Sequence, residues 1–175
     1  VAELTPMMQQ YMQTKKEYPD CILFYRLGDF YEMFFDDALI ASKELEITLT
    51  GKNCGLEERA PMCGVPYHSV DGYLNRLVSK GYKVAMCEQT EDPSTAKGLV
   101  KREVVRIVTP GTNLDTQSLD ETRNNYIMSV VYIADRFGMS IADITTGDYF
   151  VTEIGDSEKL FDEIFKFMPS ELICN

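Results

Sequence analysis

The sequence predicts an α/β chain in two parts. The first is a mixed β-sheet flanked by helices over residues 1–109. The second, over 126–175, is the N-terminal part of a further α/β domain, and 110–125 link the two. Three observations carry this. Short apolar and aromatic runs alternate with capped segments of helical spacing, the pattern of a sheet layered with helices. The turn-forming cluster Thr109-Pro110-Gly111-Thr112 is followed by a polar stretch, 113–125, with room for one short helix. The charge changes at the same place. Up to residue 109 there are 13 basic and 16 acidic side chains; beyond it there are 4 and 12, and the whole chain of 175 residues carries −11.

Thr5-Pro6 starts the first helix. The hydroxyl caps, and proline at the first helical position lacks an N–H that would have no partner there. This helix runs to about Glu17 and stops before Pro19. Cys21–Leu27 (CILFYRL) reads as a strand, Gly28-Asp29 turns the chain, and 30–35 (FYEMFF) returns as the second strand of a hairpin. Asp36-Asp37 open a helix to about Glu46, where their charges suit the positive end of the helix dipole. Ala38, Leu39, Ala41, Ser42 and Leu45 follow near helical spacing. Residues 47–50 read as a strand, 51–59 as a mobile loop and 62–65 as a short strand. Ser69 or Asp71 caps a helix to Lys80, which Gly81 closes. Residues 82–88 and 103–109 are strands rich in Val and Ile, separated by a loop at 92–98 carrying Pro, Ser, Thr and Gly.

In the second part, 126–134, 139–144 and 149–153 read as strands, with turns at 135–138 and 145–148. Asp156 or Ser157 caps a helix to about Met168, and Glu171–Cys174 begins another strand. A β-β-β-α-β order is how a ribonuclease-H-like domain begins, and such a domain needs further strands and helices. There is no internal repeat and no low-complexity segment.

Composition narrows the function. An apolar share of 45% excludes wholesale disorder. No run approaches the roughly 18 apolar residues of a membrane span. VAELTPMMQQYMQTKK has neither a basic start nor an unbroken apolar stretch, so it is not a secretory signal. Five cysteines without a CxxC pair read as free cytosolic thiols. The acidic balance argues against a general nucleic-acid binder.

A metal-dependent nuclease is the first enzyme to weigh. Pro19-Asp20 could open a restriction-type motif, but none of the ten lysines has Asp or Glu two positions earlier. Asp29, Glu32, Asp36 and Asp37 could bind Mg²⁺, although acids after a turn usually cap a helix. Ribonuclease-H-type catalysis needs an acid in the middle of its first strand, and 126–134 has none. Asp143 and Asp148 read as structural acids. Cys54, Cys63, His68 and Cys87 lack the tight pairs of a zinc site, and small buried thiols are common. No GxxxxGK[ST] loop is present.

Phe30-Tyr31-Glu32 remains. On a strand, residues two apart share a face, so Phe30 stands beside Glu32, while Tyr31 and Met33 point the other way. The plain reading is a core phenylalanine next to a surface acid. An exposed aromatic beside an acceptor is also what a wedge into a base stack requires.

The stretches TPMMQQY (5–11), FYRLGDFYEMFFDDA (24–38), LEITLT (45–50), PMCGVPYHSV (61–70), CEQ (87–89) and KREVVRIVTPGT (101–112) strongly resemble the N-terminal part of the bacterial MutS family, which recognises mismatched DNA. DITTGDY (143–149) resembles the start of that family's connector domain, ribonuclease-H-like without nuclease activity. The resemblance implies a non-catalytic reading head for double-stranded DNA with mispairs or small insertion/deletion loops. Phe30 is then the wedge that enters the stack from the minor groove, and Glu32 the acceptor for the displaced base. Met62 touches the groove beside them, and Lys52, Arg59 and Lys97 could meet phosphates. It implies no cofactor in these residues, with ATP and Mg²⁺ serving an ATPase domain outside them. It further implies a homodimer, MutL as partner through the connector, and a cytoplasmic, nucleoid-associated bacterial protein. A metal-dependent nuclease and a non-catalytic protein-interaction domain are the alternatives.

Overall fold

The structure is a computed structural model that describes residues 3–91, 96, 98–114 and 123–175. The chain divides into two compact units, Val1–Val108 and Thr109–Asn175.

In the first unit, α1 (Pro6–Glu17) begins as its capping signal predicts, with Thr5 Oγ1 accepting from the Met8 amide and Pro6 in the first turn. Strands β1 (Cys21–Leu27), β2 (Phe30–Phe34), β3 (Thr50–Lys52), β4 (Ala60–Pro66), β5 (Lys83–Gln89) and β6 (Arg102–Val108) form one sheet in the order β3-β4-β2-β1-β5-β6. The β1–β5 pair is parallel and the others are antiparallel. Helices α2 (Phe35–Leu45) and α3 (Val70–Ser79) complete the unit.

Residues 21–25 of β1 are buried one after another, because both faces of the sheet centre are covered. Cys21, Leu23 and Tyr25 pack with Met8 and Tyr11 of α1. Ile22 and Phe24 pack with Ala38, Ala41 and Leu45 of α2 and Leu74, Leu77 and Val78 of α3. A strand buried on both faces reads as a continuous apolar run.

Besides shifts of one or two residues at other strand ends, the sequence expectation for this unit fails at the two ends of α2. Residues 47–50 were the expected strand, but pairing begins at Thr50, opposite Met62. Glu46 takes a left-handed conformation (φ 57°), and the Ile47 amide bonds the Ser42 carbonyl. The chain after α2 is therefore spent on closing the helix. Gly51 and Lys52, expected in the loop, instead pair with Pro61 and Ala60. At the other junction β2 ends at Phe34, and Phe35 (φ 53°) turns directly into α2.

In the second unit, β7 (Tyr126–Ile133), β8 (Arg136–Asp143), β9 (Asp148–Ile154) and β10 (Glu171–Cys174) form a sheet in the order β10-β7-β8-β9, with β10 parallel to β7. Asp156 caps α4 (Ser157–Phe167) by accepting from the Lys159 amide at 2.8 Å. The expected four-residue turn at 135–138 is a two-residue one. Ala134 and Asp135 both have positive φ (51° and 60°), and Arg136, Phe137 and Gly138 pair with β7. Right-handed strand twist favours such a turn enough to hold even Ala134 at positive φ.

Asp143 is buried and fully engaged. It accepts from the Asn125 amide at 2.9 Å and from the Thr145 amide and hydroxyl at 2.8 and 2.6 Å. Burial alone would raise its pKa. The bonds from Thr145, Asn125 and Thr146 together outweigh it and hold the carboxyl below its usual range.

Candidate nucleic-acid interface

The candidate site is built on the β1–β2 hairpin. Leu27 pairs with Phe30, so Gly28 and Asp29 alone make the turn. Gly28 has φ 58° and no neighbouring atom within 4 Å of a Cβ built there. The turn thus stands clear and presents Phe30 as the first residue of β2.

Alternation does the rest. Tyr31 and Met33 face α2 and α3 and are buried, while Phe34 is buried beneath α1. Phe30, on the Phe34 side of the strand but at its far end, is 46% exposed against 1% for Phe34. Glu32 lies between them, half-buried. Residues directly opposite in antiparallel strands share a face. Glu32 is opposite Gly64, Phe34 is opposite Met62, Met62 is opposite Thr50, and Lys52 is opposite Ala60. Phe30, Glu32, Met62 and Lys52 therefore stand on one face of the sheet.

Lys52 Nζ is 2.5 Å from Glu32 Oε2 and 5.6 Å from the centre of the Phe34 ring. Gly64 puts no side chain beside Glu32, and a Cβ there would lie 3.5 Å from Glu32 Cγ and 3.2 Å from the Tyr31 carbonyl oxygen. Met62 is half-buried against the α1-side cluster. Arg59 is exposed just before β4, with its Cβ 3.1 Å from where a Cβ on Gly51 would stand. Lys97 lies outside the described residues.

The opposite face supports the hairpin with residues to which the sequence reading gives no role. Arg26 donates from Nε to the Gly28 carbonyl at 2.6 Å. Its guanidinium stacks 3.6 Å above the Tyr67 ring centre and pairs with Glu88 at 3.8 Å. Tyr31 donates its hydroxyl proton to Glu88, and the Tyr67 amide donates to the Asp29 carbonyl at 2.9 Å. Burial pushes the Glu88 carboxyl up, and Arg26 opposes that rise. One guanidinium thus ties the turn to β5 and to the segment after β4. The available signal was the symmetry of a hairpin, in which Arg26 and Tyr31 fall opposite each other.

The other clusters separate. Asp37 is buried, where it accepts from Lys15, Tyr11 and the Leu23 amide, while Glu32 pairs with Lys52. Cys63 sits in the core on the α2 side of the sheet, and Cys54 and Cys87 in the core on the α1 side. Burial pushes the Cys63 thiol to about 12 and the Cys87 thiol to about 11. His68 is exposed. Among the described residues, no three His, Cys, Asp or Glu side chains are grouped to hold a metal ion. No helix among them is long and apolar enough to cross a membrane.

Comparison with known proteins gives this hairpin a context. The family model described as MutS domain I matches residues 5–117, and that of MutS domain II matches 125–175. A DNA mismatch repair protein MutS of Lachnoclostridium phytofermentans is 70% identical over 175 residues, all of this chain and 19% of the relative. One from Acetivibrio thermocellus is 64% identical over 178 residues, covering 100% of this chain and 20% of the relative. One from Ruminiclostridium cellulolyticum is 64% identical over 175 residues, covering 98% and 20%. The chain spans about a fifth of the length of these curated relatives. It belongs to the MutS family, with a MutS domain I followed by residues of MutS domain II.

Proposed function

We propose that this chain is the mismatch-reading head of a longer DNA mismatch repair protein. The observation that carries the reading is Phe30, a large apolar side chain held exposed at the tip of a braced hairpin, with a carboxylate two residues along the same face. Phe30 enters the base stack from the minor groove at a mispair. Unstacking a base step costs a few kcal/mol, and less where pairing is already broken, so the wedge favours the mispaired step. Glu32 then bonds the displaced base, either by accepting from a ring N–H or by taking up a proton and donating to a ring nitrogen. On intact duplex neither partner is on offer, and the carboxylate gains no base contact to offset its loss of hydration near the phosphates. Met62 lines the groove beside the wedge, and Lys52, Arg59 and Lys97 are the cations this reading assigns to phosphates.

The longer protein is an ATP-dependent homodimer that signals to MutL through the domain beginning here at residue 125, and it works in the bacterial cytoplasm at the nucleoid. ATP and Mg²⁺ are not assigned to these residues. They hold no phosphate-binding loop of the GxxxxGK[ST] kind, and the described ones hold no metal-binding group.

Paired titrations of mismatched and perfectly matched duplexes test the reading, in a full-length chain containing these residues. Glu32→Gln and Glu32→Ala should raise affinity for matched duplex more than for mismatched duplex, so that the ratio between them shrinks. Equal loss of both affinities would make Glu32 a general positioning residue. Cleavage of labelled duplex in Mg²⁺ or Mn²⁺, abolished by changing Asp29 or Asp36, would instead favour a nuclease.

A further inference from the structure

We propose that Lys52 is the exchangeable counter-ion of Glu32, withheld from DNA by that carboxylate and released to a phosphate only when Glu32 turns to a mispaired base. The inference rests on Glu32 being the base-contacting residue of the proposed function and adds how its charge is managed. Lys52 ends the edge strand β3, and its ammonium reaches across β4 to a carboxylate on β2. The contact is 2.5 Å, and the two side chains keep 32% and 16% of their surface exposed. The pair is sheltered enough to hold together in the free protein and open enough to be exchanged.

Charge decides what happens next. A carboxylate facing the phosphates of a duplex is repelled unless a cation neutralises it. With Lys52 closed onto Glu32, the pair meets intact duplex as a neutral dipole, and neither member gains a contact. At a mispair Glu32 finds a base donor, and its ammonium partner, on a flexible four-carbon stem, is left beside the backbone. Arg59 is a different kind of cation: it is exposed and makes no hydrogen bond or ion pair among the described residues, so it is available to phosphate in either case. Lys52 is thus a positioning residue for Glu32 in the free head and a phosphate ligand only in the mismatch complex.

The test is the salt dependence of binding by a full-length chain containing these residues. Each phosphate contact made by a cation steepens the slope of log K against log salt by about 0.9. The wild-type slope should be steeper on mismatched than on matched duplex by about that amount. The mismatch-to-match ratio should then fall about threefold between 50 and 200 mM salt. Glu32→Gln frees Lys52 and should steepen the matched-duplex slope to the mismatch value. Lys52→Met should remove the slope difference, and Lys52→Arg should restore it, with unchanged melting temperatures. If Glu32→Gln shrinks the affinity ratio but leaves the matched-duplex slope unchanged, Lys52 is not held back by Glu32; the exchange is wrong and the role of Glu32 stands. A slope difference that persists in Lys52→Met overturns the exchange likewise. If Glu32→Gln leaves the affinity ratio itself unchanged, the role of Glu32 falls and the exchange with it.

Discussion

Phe30 and Phe34 lie on the same face of one short strand and have opposite environments. Phe34 is closed in beneath α1, its ring edge-on to Tyr11 at 4.9 Å, while Phe30 projects beyond that cover. Phe34→Ala should therefore lower stability by roughly 3–5 kcal/mol, and Phe30→Ala by less than about 1 kcal/mol, measured by chemical denaturation. Equal losses would make Phe30 a core residue. Asp143 gives a second residue-scale test. Its folded-state pKa is depressed, so its contribution is fully present above the unfolded value of about 3.9 and is lost as pH falls through the folded value. Asp143→Asn should destabilise the second unit by roughly 1–3 kcal/mol at pH 7, with the difference from wild type shrinking only below about pH 4. A difference that shrank between pH 8 and 6 would point to another group. Strand alternation was enough to pair Phe30 with Glu32 and to set Tyr31 and Met33 on the other face. It was not enough to tell which face is core: the plain reading buried Phe30, which is exposed. It could not show that Lys52, read as a free cation in a loop, is bound to Glu32, because that pair forms across β4 and depends on where β3 registers.

Elements that announce themselves by caps and apolar runs formed where the sequence put them. Thr5-Pro6 opens α1, Asp156 caps α4, and the run CILFYRL is the centre of the first sheet. Those that depend on backbone geometry shifted. Residues 47–49 have strand composition but lie outside the ladder, Ile47 bonding back to α2, and β8 begins at Arg136, inside the expected turn. Both shifts follow from left-handed residues that carry no sequence flag: Glu46 at the helix end, Ala134 and Asp135 in the hairpin. An alanine in that conformation costs about 1–2 kcal/mol relative to the right-handed region. Ala134→Gly should therefore raise the stability of the second unit, by about 0.5–1 kcal/mol in a denaturant titration. A loss of stability would mean that the turn has another geometry. The β1–β2 hairpin that carries Phe30 is held differently, by Arg26 between the Gly28 carbonyl, the Tyr67 ring and Glu88. Arg26→Lys keeps the charge but gives up the planar stack. It should weaken discrimination of mismatched from matched duplex while leaving the melting temperature within a few degrees of wild type.

At the scale of the whole chain, the 175 residues proposed to read DNA carry a net charge of −11. Phosphate neutralisation normally supplies much of the affinity for DNA, so these 175 residues alone should bind duplex weakly, and the binding should fade quickly with salt. Submicromolar binding at physiological salt would show that they need no cationic surface from elsewhere in a longer protein. Under the proposed function the acidity implies a division of labour, in which this part discriminates and other parts of a longer protein grip. The order of the second unit, β-β-β-α-β, was legible from its apolar runs, whereas its membership of MutS domain II rests on the family match. The most direct test of mismatch reading is a titration of a full-length chain, wild type and Phe30→Ala, with one mismatched and one matched duplex, alongside thermal melting of both proteins. The wedge predicts that Phe30→Ala binds the two duplexes equally while melting as wild type does. Retention of the wild-type preference for the mismatch by a folded Phe30→Ala protein would contradict it.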